Sequence, residues 1–91
     1  MTFLANNYNR KKISFKKGIG SYLVATNGKK YLDFCSGIAV NSLGHANPRL
    51  VKALYKQAKK VWHVSNAFTI PEAEMLAKKL VKKTFADSVI F

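Results

Sequence analysis

The chain has 91 residues, 48% hydrophobic and 12% aromatic, a composition typical of a small globular domain and not of a disordered segment. The single cysteine, Cys35, excludes an internal disulfide framework, and no apolar stretch is long enough to span a membrane. Both features lead us to expect a protein of the reducing cytoplasm.

The net charge of +12 results from sixteen Lys and Arg against four Asp and Glu, and it allows two interpretations. One is a small basic protein that binds nucleic acid. The other is that balancing acidic residues lie elsewhere in a longer polypeptide. Apart from Arg10 and Arg49 the basic residues are all Lys, spread along the whole chain. Arg is the preferred side chain for phosphates and base edges, so we expect no specific nucleic-acid partner and no membrane partner.

The first regular element that the sequence predicts is a β-hairpin over Ser21–Phe34, after an irregular lead-in over residues 1–17. Asn27-Gly28 lies between two runs of β-favouring residues, and this dipeptide readily adopts the positive φ angles of a type I′ turn. Such a turn predicts the cross-strand partners Val24 with Tyr31 and Leu23 with Leu32.

A loop and a first helix are predicted next. The stretch "CSGIAVNSLGHAN", Cys35–Asn47, is rich in small residues and has no regular periodicity, which indicates a loop. Asn47 followed by Pro48 is typical of a helix start, with Asn as the cap and Pro at the first helical position. Apolar spacing predicts that this helix continues to about Val61.

A second helix and a short strand complete the predicted elements. Thr69 and Glu72 have the spacing of a capping box, and the helix is expected to end near Thr84. Residues 89–91, Val-Ile-Phe, have the character of the first residues of a buried strand. The predicted fold class is therefore an α+β fragment that contains a hairpin, two helices and a truncated strand.

The residue pattern itself predicts no self-contained active site. Gly18-x-Gly20 precedes a strand, whereas a dinucleotide fingerprint follows one, so turn geometry is the expected reason for these glycines. His45 and His63 have no metal-ligand spacing with the four scattered acids. Cys35 and His45 could form a nucleophile pair only with an orienting third group, which the sequence does not indicate. We therefore predict no catalytic, cofactor-binding or metal-binding residue.

A series of short motifs nevertheless resembles a known family. The motifs are Gly18-x-Gly20, Tyr31-Leu32-Asp33-Phe34, Ser36-Gly37-Ile38-Ala39-Val40-Asn41, Leu43-Gly44-His45 and His63-x-Ser65-Asn66. In this order and spacing, they resemble the N-terminal region of class III pyridoxal-phosphate-dependent aminotransferases, most closely the acetylornithine branch. The resemblance extends from about Tyr8 to Phe91. It implies part of a fold-type I enzyme, α/β when complete, with residues 1–70 from the small domain and 71–91 from the start of the large domain.

The resemblance also implies a function for the complete enzyme. That enzyme moves an amino group between an N-acylated ornithine and 2-oxoglutarate in arginine metabolism, as a homodimer with pyridoxal phosphate as cofactor. In the family, the strand that begins at Val89 leads into the segment that binds the cofactor phosphate, and the Schiff-base lysine follows later in the chain. We therefore expect this chain to bind no cofactor and to be inactive without the remaining part. A decayed-gene product without activity is a further alternative.

Five residues match the family's substrate pocket. Tyr8 matches an N-terminal aromatic residue that contacts the substrate. Ser36, Gly37 and Ile38 match a loop beside the substrate carboxylate, and Thr69 lies where a relative carries a specificity-setting aromatic residue. The resemblance assigns none of the five to catalysis.

Overall fold

The computed structural model describes residues 2–91, and these form two compact units that meet in sequence between Lys56 and Gln57. The first unit contains a three-stranded antiparallel sheet in the order β1-β2-β3. The strands are β1 (Phe15–Ile19), β2 (Tyr22–Ala25) and β3 (Lys30–Leu32). The helical segments are α1 (Ser36–Ala39), α2 (Pro48–Ala58) and α3 (Pro71–Lys83).

Strand β1 lies partly in the lead-in that the sequence predicts as irregular, so that prediction is wrong from Phe15 onward. The strand pairs with β2, and its register shifts between Phe15 and Lys17. The Phe15 ring packs edge-on against Tyr31, with 5.7 Å between ring centroids. Most of β1 is exposed, so it lacks the hydrophobic alternation that identifies a strand from sequence.

The β2–β3 hairpin forms as predicted, but its turn is different. Gly28 has φ of +87°, whereas Asn27 does not adopt a positive φ, so the predicted type I′ turn is not formed. The Gly28 N–H donates to the Ala25 carbonyl at 2.9 Å, and the Ala25 N–H donates to the Lys29 carbonyl at 2.9 Å. These bonds enclose a three-residue loop that needs only one residue at positive φ.

The longer loop shifts the hairpin register by one residue. Leu23 lies opposite Tyr31, and Tyr22 lies opposite Leu32, so the predicted pairs Val24–Tyr31 and Leu23–Leu32 are wrong. Because side chains alternate along a strand, Leu23 and Tyr31 share one face of the sheet. These two side chains are half-buried, whereas Tyr22 and Leu32 are exposed.

Helix α2 begins as the sequence predicts. The Asn47 Oδ1 accepts hydrogen bonds from the N–H groups of Arg49 at 3.0 Å and Leu50 at 3.4 Å. The helix ends at Ala58, before the predicted Val61, and the Ala58 carbonyl accepts a hydrogen bond from the Trp62 indole N–H at 2.7 Å.

Helix α3 ends as predicted but begins differently. Thr84 is its C-cap, and the Thr84 hydroxyl donates to the Leu80 carbonyl at 2.9 Å. The N-cap is Ile70, which makes no side-chain cap hydrogen bond, so the predicted capping box is wrong. Because Pro71 at the first helical position favours a helix start by its fixed φ, α3 begins without a polar cap. Residues 89–91 are not in a strand, since no neighbouring strand pairs with them.

Few apolar side chains are covered. Ala25, at 2% exposed, is the only hydrophobic residue that is fully buried among residues 2–91, and Phe34, Ile38 and Ile90 are each more than 90% exposed. None of the helices in this part of the chain is long and apolar enough to cross a membrane. The first unit is therefore organised mainly by backbone pairing and by the polar contacts described next.

Candidate functional site

Segment α1 is a left-handed turn. The φ angles of its residues Ser36, Gly37, Ile38 and Ala39 are +50°, +63°, +62° and +61°. For residues other than Gly, this conformation costs about 1–2 kcal/mol per residue relative to the right-handed form. The sequence predicts a loop here, but it does not predict four successive residues at positive φ. Strain of this kind persists only where the surroundings hold it, and it is common at ligand-binding sites.

Hydrogen bonds within the segment close the turn. The Ile38 N–H donates to the Cys35 carbonyl at 2.8 Å, and the N–H groups of Val40 and Asn41 donate to the Ser36 carbonyl at 2.8 and 2.9 Å. The first N–H of the segment, that of Ser36, is satisfied from outside by the Asp33 Oδ1 at 2.9 Å.

Asp33 connects this turn to His45. The Asp33 Oδ2 lies 2.6 Å from the His45 Nε2, and the two side chains are only 9% and 19% exposed. The hydrogen bond from His45, followed by that from the Ser36 N–H, holds the pKa of Asp33 below its ordinary value of 3.8, although partial burial acts in the opposite direction. At neutral pH Asp33 is therefore a carboxylate, which only accepts hydrogen bonds, and His45 Nε2–H is the donor.

His45 is in turn fixed to the sheet through its backbone. The Gly20 N–H donates to the His45 carbonyl at 3.0 Å, and the His45 N–H donates to the Gly20 carbonyl at 2.8 Å. A Cβ on Gly18 would lie 2.6 Å from His45 Cβ, and one on Gly44 would lie 3.0 Å from Gly20 Cα. Glycine thus permits a close approach at both positions, so turn geometry explains Gly20, with φ of +55°, but not Gly18. We call the group Gly20, Asp33, Ser36 and His45 the clasp.

A small polar cavity of about 180 Å³ opens beside the clasp. Ser21, Asn41 and Ser42 line it together with members of the clasp. Cys35 is exposed and is not among the residues that line this cavity. Within residues 2–91, no three acidic, His or Cys side chains are grouped as metal ligands.

Three of the five residues assigned by resemblance lie together in α1. Ser36 lines the cavity and donates to Asp33, whereas the Ile38 side chain is 93% exposed. A Cβ on Gly37 would lie 3.3 Å from the Asn41 Nδ2, so a larger residue would crowd the turn. The large apolar side chain of this segment, Ile38, is therefore exposed on a turn that is closed by its own hydrogen bonds.

The other two residues lie outside this cavity. Tyr8 is 68% exposed, and the Arg10 guanidinium lies over its ring at 5.2 Å from the centroid. Thr69 belongs to the second unit, where it lines an open groove of about 460 Å³ together with Phe68 and Ile90. Within the first unit, Tyr8 does not line the cavity beside the clasp.

The sequence did not predict the role of Asp33. One signal for it existed, because an Asp three residues before Ser36 is well placed to accept a backbone N–H in a turn. The partnership with His45 spans twelve positions and had no local signal.

Comparison with known proteins identifies the family to which this chain belongs. Residues 3–91 match the family model described as aminotransferase class-III. The chain is 56% identical to acetylornithine aminotransferase 1 of Bradyrhizobium diazoefficiens over 82 residues, which are 90% of this chain and 20% of that protein. It is 52% identical to the acetylornithine aminotransferase of Aquifex aeolicus over 91 residues, which are 100% of this chain and 24% of that protein.

A solved structure agrees with these relatives. The crystal structure of N-acetylornithine aminotransferase from Stenotrophomonas maltophilia matches with a TM-score of 0.75 and 40% sequence identity, covering 82% of this chain and 21% of that one. The chain therefore spans between 20% and 24% of the length of these three relatives.

Proposed function

Because this chain belongs to the class-III aminotransferase family, we propose that it is the N-terminal segment of an acetylornithine-type aminotransferase. The complete enzyme transfers an amino group between an N-acylated ornithine and 2-oxoglutarate. The observation that carries this proposal is the 56% identity, over 90% of the chain, to an enzyme named acetylornithine aminotransferase. The division into a small-domain part over about 1–70 and a large-domain part over about 71–91 belongs to the same proposal.

A hybrid enzyme tests the substrate class. In this hybrid, the chain replaces the matching stretch of the Aquifex aeolicus acetylornithine aminotransferase, with which it is 52% identical over its whole length. We expect kcat/KM for N-acetylornithine within about tenfold of the unmodified parent enzyme, a difference of about 1.4 kcal/mol in transition-state stabilisation. A folded hybrid that uses ornithine or 4-aminobutyrate and not N-acetylornithine would contradict the proposal.

Pyridoxal phosphate, the cofactor that the resemblance implies, supplies the electron sink of amino transfer. Residues 2–91 do not fit its phosphate group. The first turn of α3 carries Glu72 and Glu74, whose negative charges repel an anion. The N–H groups of Arg49 and Leu50 at the start of α2 already donate to Asn47, and the cavity beside the clasp contains the ionised Asp33, which repels an anion. We therefore propose that other parts of the enzyme hold the cofactor and that these 91 residues alone do not catalyse the reaction.

Titration of the 91-residue chain with pyridoxal phosphate tests that proposal. Lysine adducts should form at many positions without saturation, and no transfer from N-acetylornithine to 2-oxoglutarate should follow. A saturable one-to-one adduct at a single lysine, located by mass spectrometry after reduction, would show that the chain has its own cofactor site.

The substrate-pocket residues of the complete enzyme are proposed to be Tyr8, Ser36, Gly37, Ile38 and Thr69. The exposed Ile38 side chain on the left-handed turn supports this assignment, because an apolar group held at this position is available to a ligand. In the hybrid, Ile38→Ala should raise KM for N-acetylornithine by about tenfold, the value of one lost apolar contact. Val40→Ala removes a similarly exposed apolar side chain just beyond the turn and should leave KM unchanged.

Assembly and location are parts of the same proposal. As in the family that the sequence resembles, we propose that the complete enzyme is a homodimer, and we propose that it is located in the cytoplasm. Sedimentation of the hybrid should give twice the mass of one chain, and fractionation of the source cell should recover the native protein with soluble cytoplasmic markers.

A further inference from the structure

We propose that Asp33 and His45 are positioning residues that hold the left-handed segment α1 in the conformation in which it binds substrate. This inference rests on the proposed function, which places Ser36, Gly37 and Ile38 of α1 in the substrate pocket. It goes beyond that function by assigning a role to two side chains that have no place among the five pocket residues.

Segment α1 does not hold its own conformation. Ser36, Ile38 and Ala39 are L-residues at positive φ, a region that only Gly occupies without strain. The hydrogen bonds from Ile38 to Cys35 and from Val40 to Ser36 follow a helical spacing that a right-handed turn could also provide. An anchor outside the turn is therefore needed to select the left-handed form.

The anchor is Asp33. The Asp33 Oδ1 accepts the Ser36 N–H at 2.9 Å, which fixes the first residue of α1, while the Oδ2 lies 2.6 Å from His45 Nε2. One carboxylate thus joins the start of the turn at Ser36 to the side chain of His45, which lies twelve positions after Asp33. Charge-assisted bonds of this kind are about twice as strong as neutral ones, and both oxygens of Asp33 take part.

His45 is a fixed support for Asp33. Two backbone hydrogen bonds pair His45 with Gly20 at the end of β1, at 3.0 and 2.8 Å. His45 also packs against Gly18, where there is no room for a Cβ. A continuous path therefore runs from the sheet through His45 and Asp33 to Ser36.

This path affects the reaction through the binding of substrate by α1. Asp33 and His45 are 9% and 19% exposed and also line the small cavity beside the clasp. Because Asp33 Oδ2 and His45 Nε2 bind one another, we assign their influence on substrate to the support of α1. Loss of the anchor lets α1 relax, which weakens substrate binding in the ground state and the transition state alike. Such a loss raises KM and leaves kcat nearly unchanged.

The experiment compares variants of the hybrid enzyme. Asp33→Ala removes both hydrogen bonds, whereas Asp33→Asn keeps a carbonyl oxygen for the Ser36 N–H. We expect Asp33→Ala and His45→Ala to raise KM for N-acetylornithine by about tenfold or more, with kcat within about threefold, and Asp33→Asn to have a smaller effect on KM. Asp87→Ala, at the exposed second aspartate of the chain, is the matched control and should change neither constant.

Hydrogen exchange supplies a second readout that does not depend on activity. In Asp33→Ala, the peptide that contains α1 should exchange at least about tenfold faster, while the peptide that contains β2 should keep the rate of the unsubstituted hybrid. An exchange rate in α1 that does not change would overturn the proposal.

The kinetic outcomes separate positioning from the other roles. A structural role alone lowers the melting temperature and the fraction of active enzyme, so kcat falls while KM stays constant, and this result would overturn the proposal. A large loss of kcat with unchanged stability would mean that Asp33 acts on the reacting atoms, and it would also overturn the proposal. If the unsubstituted hybrid does not use N-acetylornithine, the proposed function fails, and exchange in α1 still decides whether the clasp holds the turn.

Discussion

The two compact units of this chain are organised by different kinds of contact. In the first unit, residues far apart in sequence bind one another, as in the Gly20–His45 bridge and the Asp33–His45 pair. In the second unit, the side chains of Trp62 and Thr84 bind carbonyl groups only four positions away. The first unit therefore depends on a few specific residues, whereas the second follows mainly from local helix chemistry.

This difference has a practical consequence for mutation. A substitution that disturbs a long-range contact in the first unit should also affect the segments that this contact supports, because the sheet supports His45, His45 supports Asp33 and Asp33 supports α1. A substitution in the second unit should remain local. The predictions below test this contrast, and their stability effects are local unfolding free energies measured by hydrogen exchange in the hybrid enzyme, except where stated.

The largest effect is expected for Gly18→Ala. The added Cβ would lie 2.6 Å from both Cβ and Cγ of His45, so His45 or β1 must move. We expect the sheet to lose about 1–3 kcal/mol, as for other overpacked sites. The loss should extend to α1, since His45 supports Asp33.

Gly28→Ala is the matched control for that prediction. A Cβ at this position meets nothing within 4 Å, but φ is +87°, so only the backbone cost of about 1 kcal/mol applies. Exchange in α1 should not change. If Gly28→Ala affected α1 as strongly as Gly18→Ala, the effect of Gly18→Ala on α1 would not pass through the clasp.

The next largest loss of stability is expected at one of the two helix starts, that of α2. Asn47→Ala removes the acceptor for the N–H groups of Arg49 and Leu50 and should cost α2 about 1 kcal/mol. Thr69→Ala should leave the stability of α3 unchanged, because α3 has no side-chain cap. A loss of α3 stability in Thr69→Ala would show that Thr69 caps α3, as the sequence predicts, and would contradict the structure.

In both units, the features that could be predicted from sequence are local ones. Asn47-Pro48 predicted the start of α2, and the apolar spacing predicted the end of α3 at Thr84, because caps and helical periodicity act over a few residues. The position of the hairpin turn at Asn27-Gly28 was predicted for the same reason.

The errors have two sources, which are local patterns that allow more than one structure and pairing between distant residues. The hairpin register was wrong by one residue because Asn-Gly is compatible with more than one loop length, and the structure uses a three-residue loop. Strand β1 was missed because its pairing comes from backbone groups that carry no sequence pattern. The clasp was missed because Asp33 and His45 meet across twelve positions, and motif resemblance gave the family without giving this pair.

A gain in stability, smaller than these losses, is expected from a substitution at the start of α3. Ile70 is the N-cap, has extended φ and ψ of −116° and 100°, and makes no cap hydrogen bond. Ile70→Ser supplies an acceptor for the free N–H groups and should stabilise α3 by about 0.5–1 kcal/mol, reduced by the loss of a half-buried apolar side chain. Ile70→Ala lacks the acceptor and should give no gain. Equal stability in the two variants would show that capping does not limit α3.

The smallest change is a shift in the titration of Asp33. The hydrogen bond from His45 is the main cause of its lowered pKa, followed by the Ser36 N–H. Because the folded-state pKa lies below the ordinary value of 3.8, the stabilisation is fully present above pH 3.8 and is lost as the pH falls through the lowered pKa. Acid should therefore release α1 only below the normal range of aspartate titration.

Carbon-13 NMR of the 91-residue chain can measure this directly, since Asp33 and Asp87 are its only aspartates. The Asp33 carboxyl signal should titrate with a midpoint below 3.8, and the Ser36 amide signal should follow the same curve. His45→Ala removes the largest cause and should raise the midpoint toward 3.8. If the midpoint were the same with and without His45, the carboxylate would not depend on the long-range pair, and the contrast between the two units would lose its strongest example.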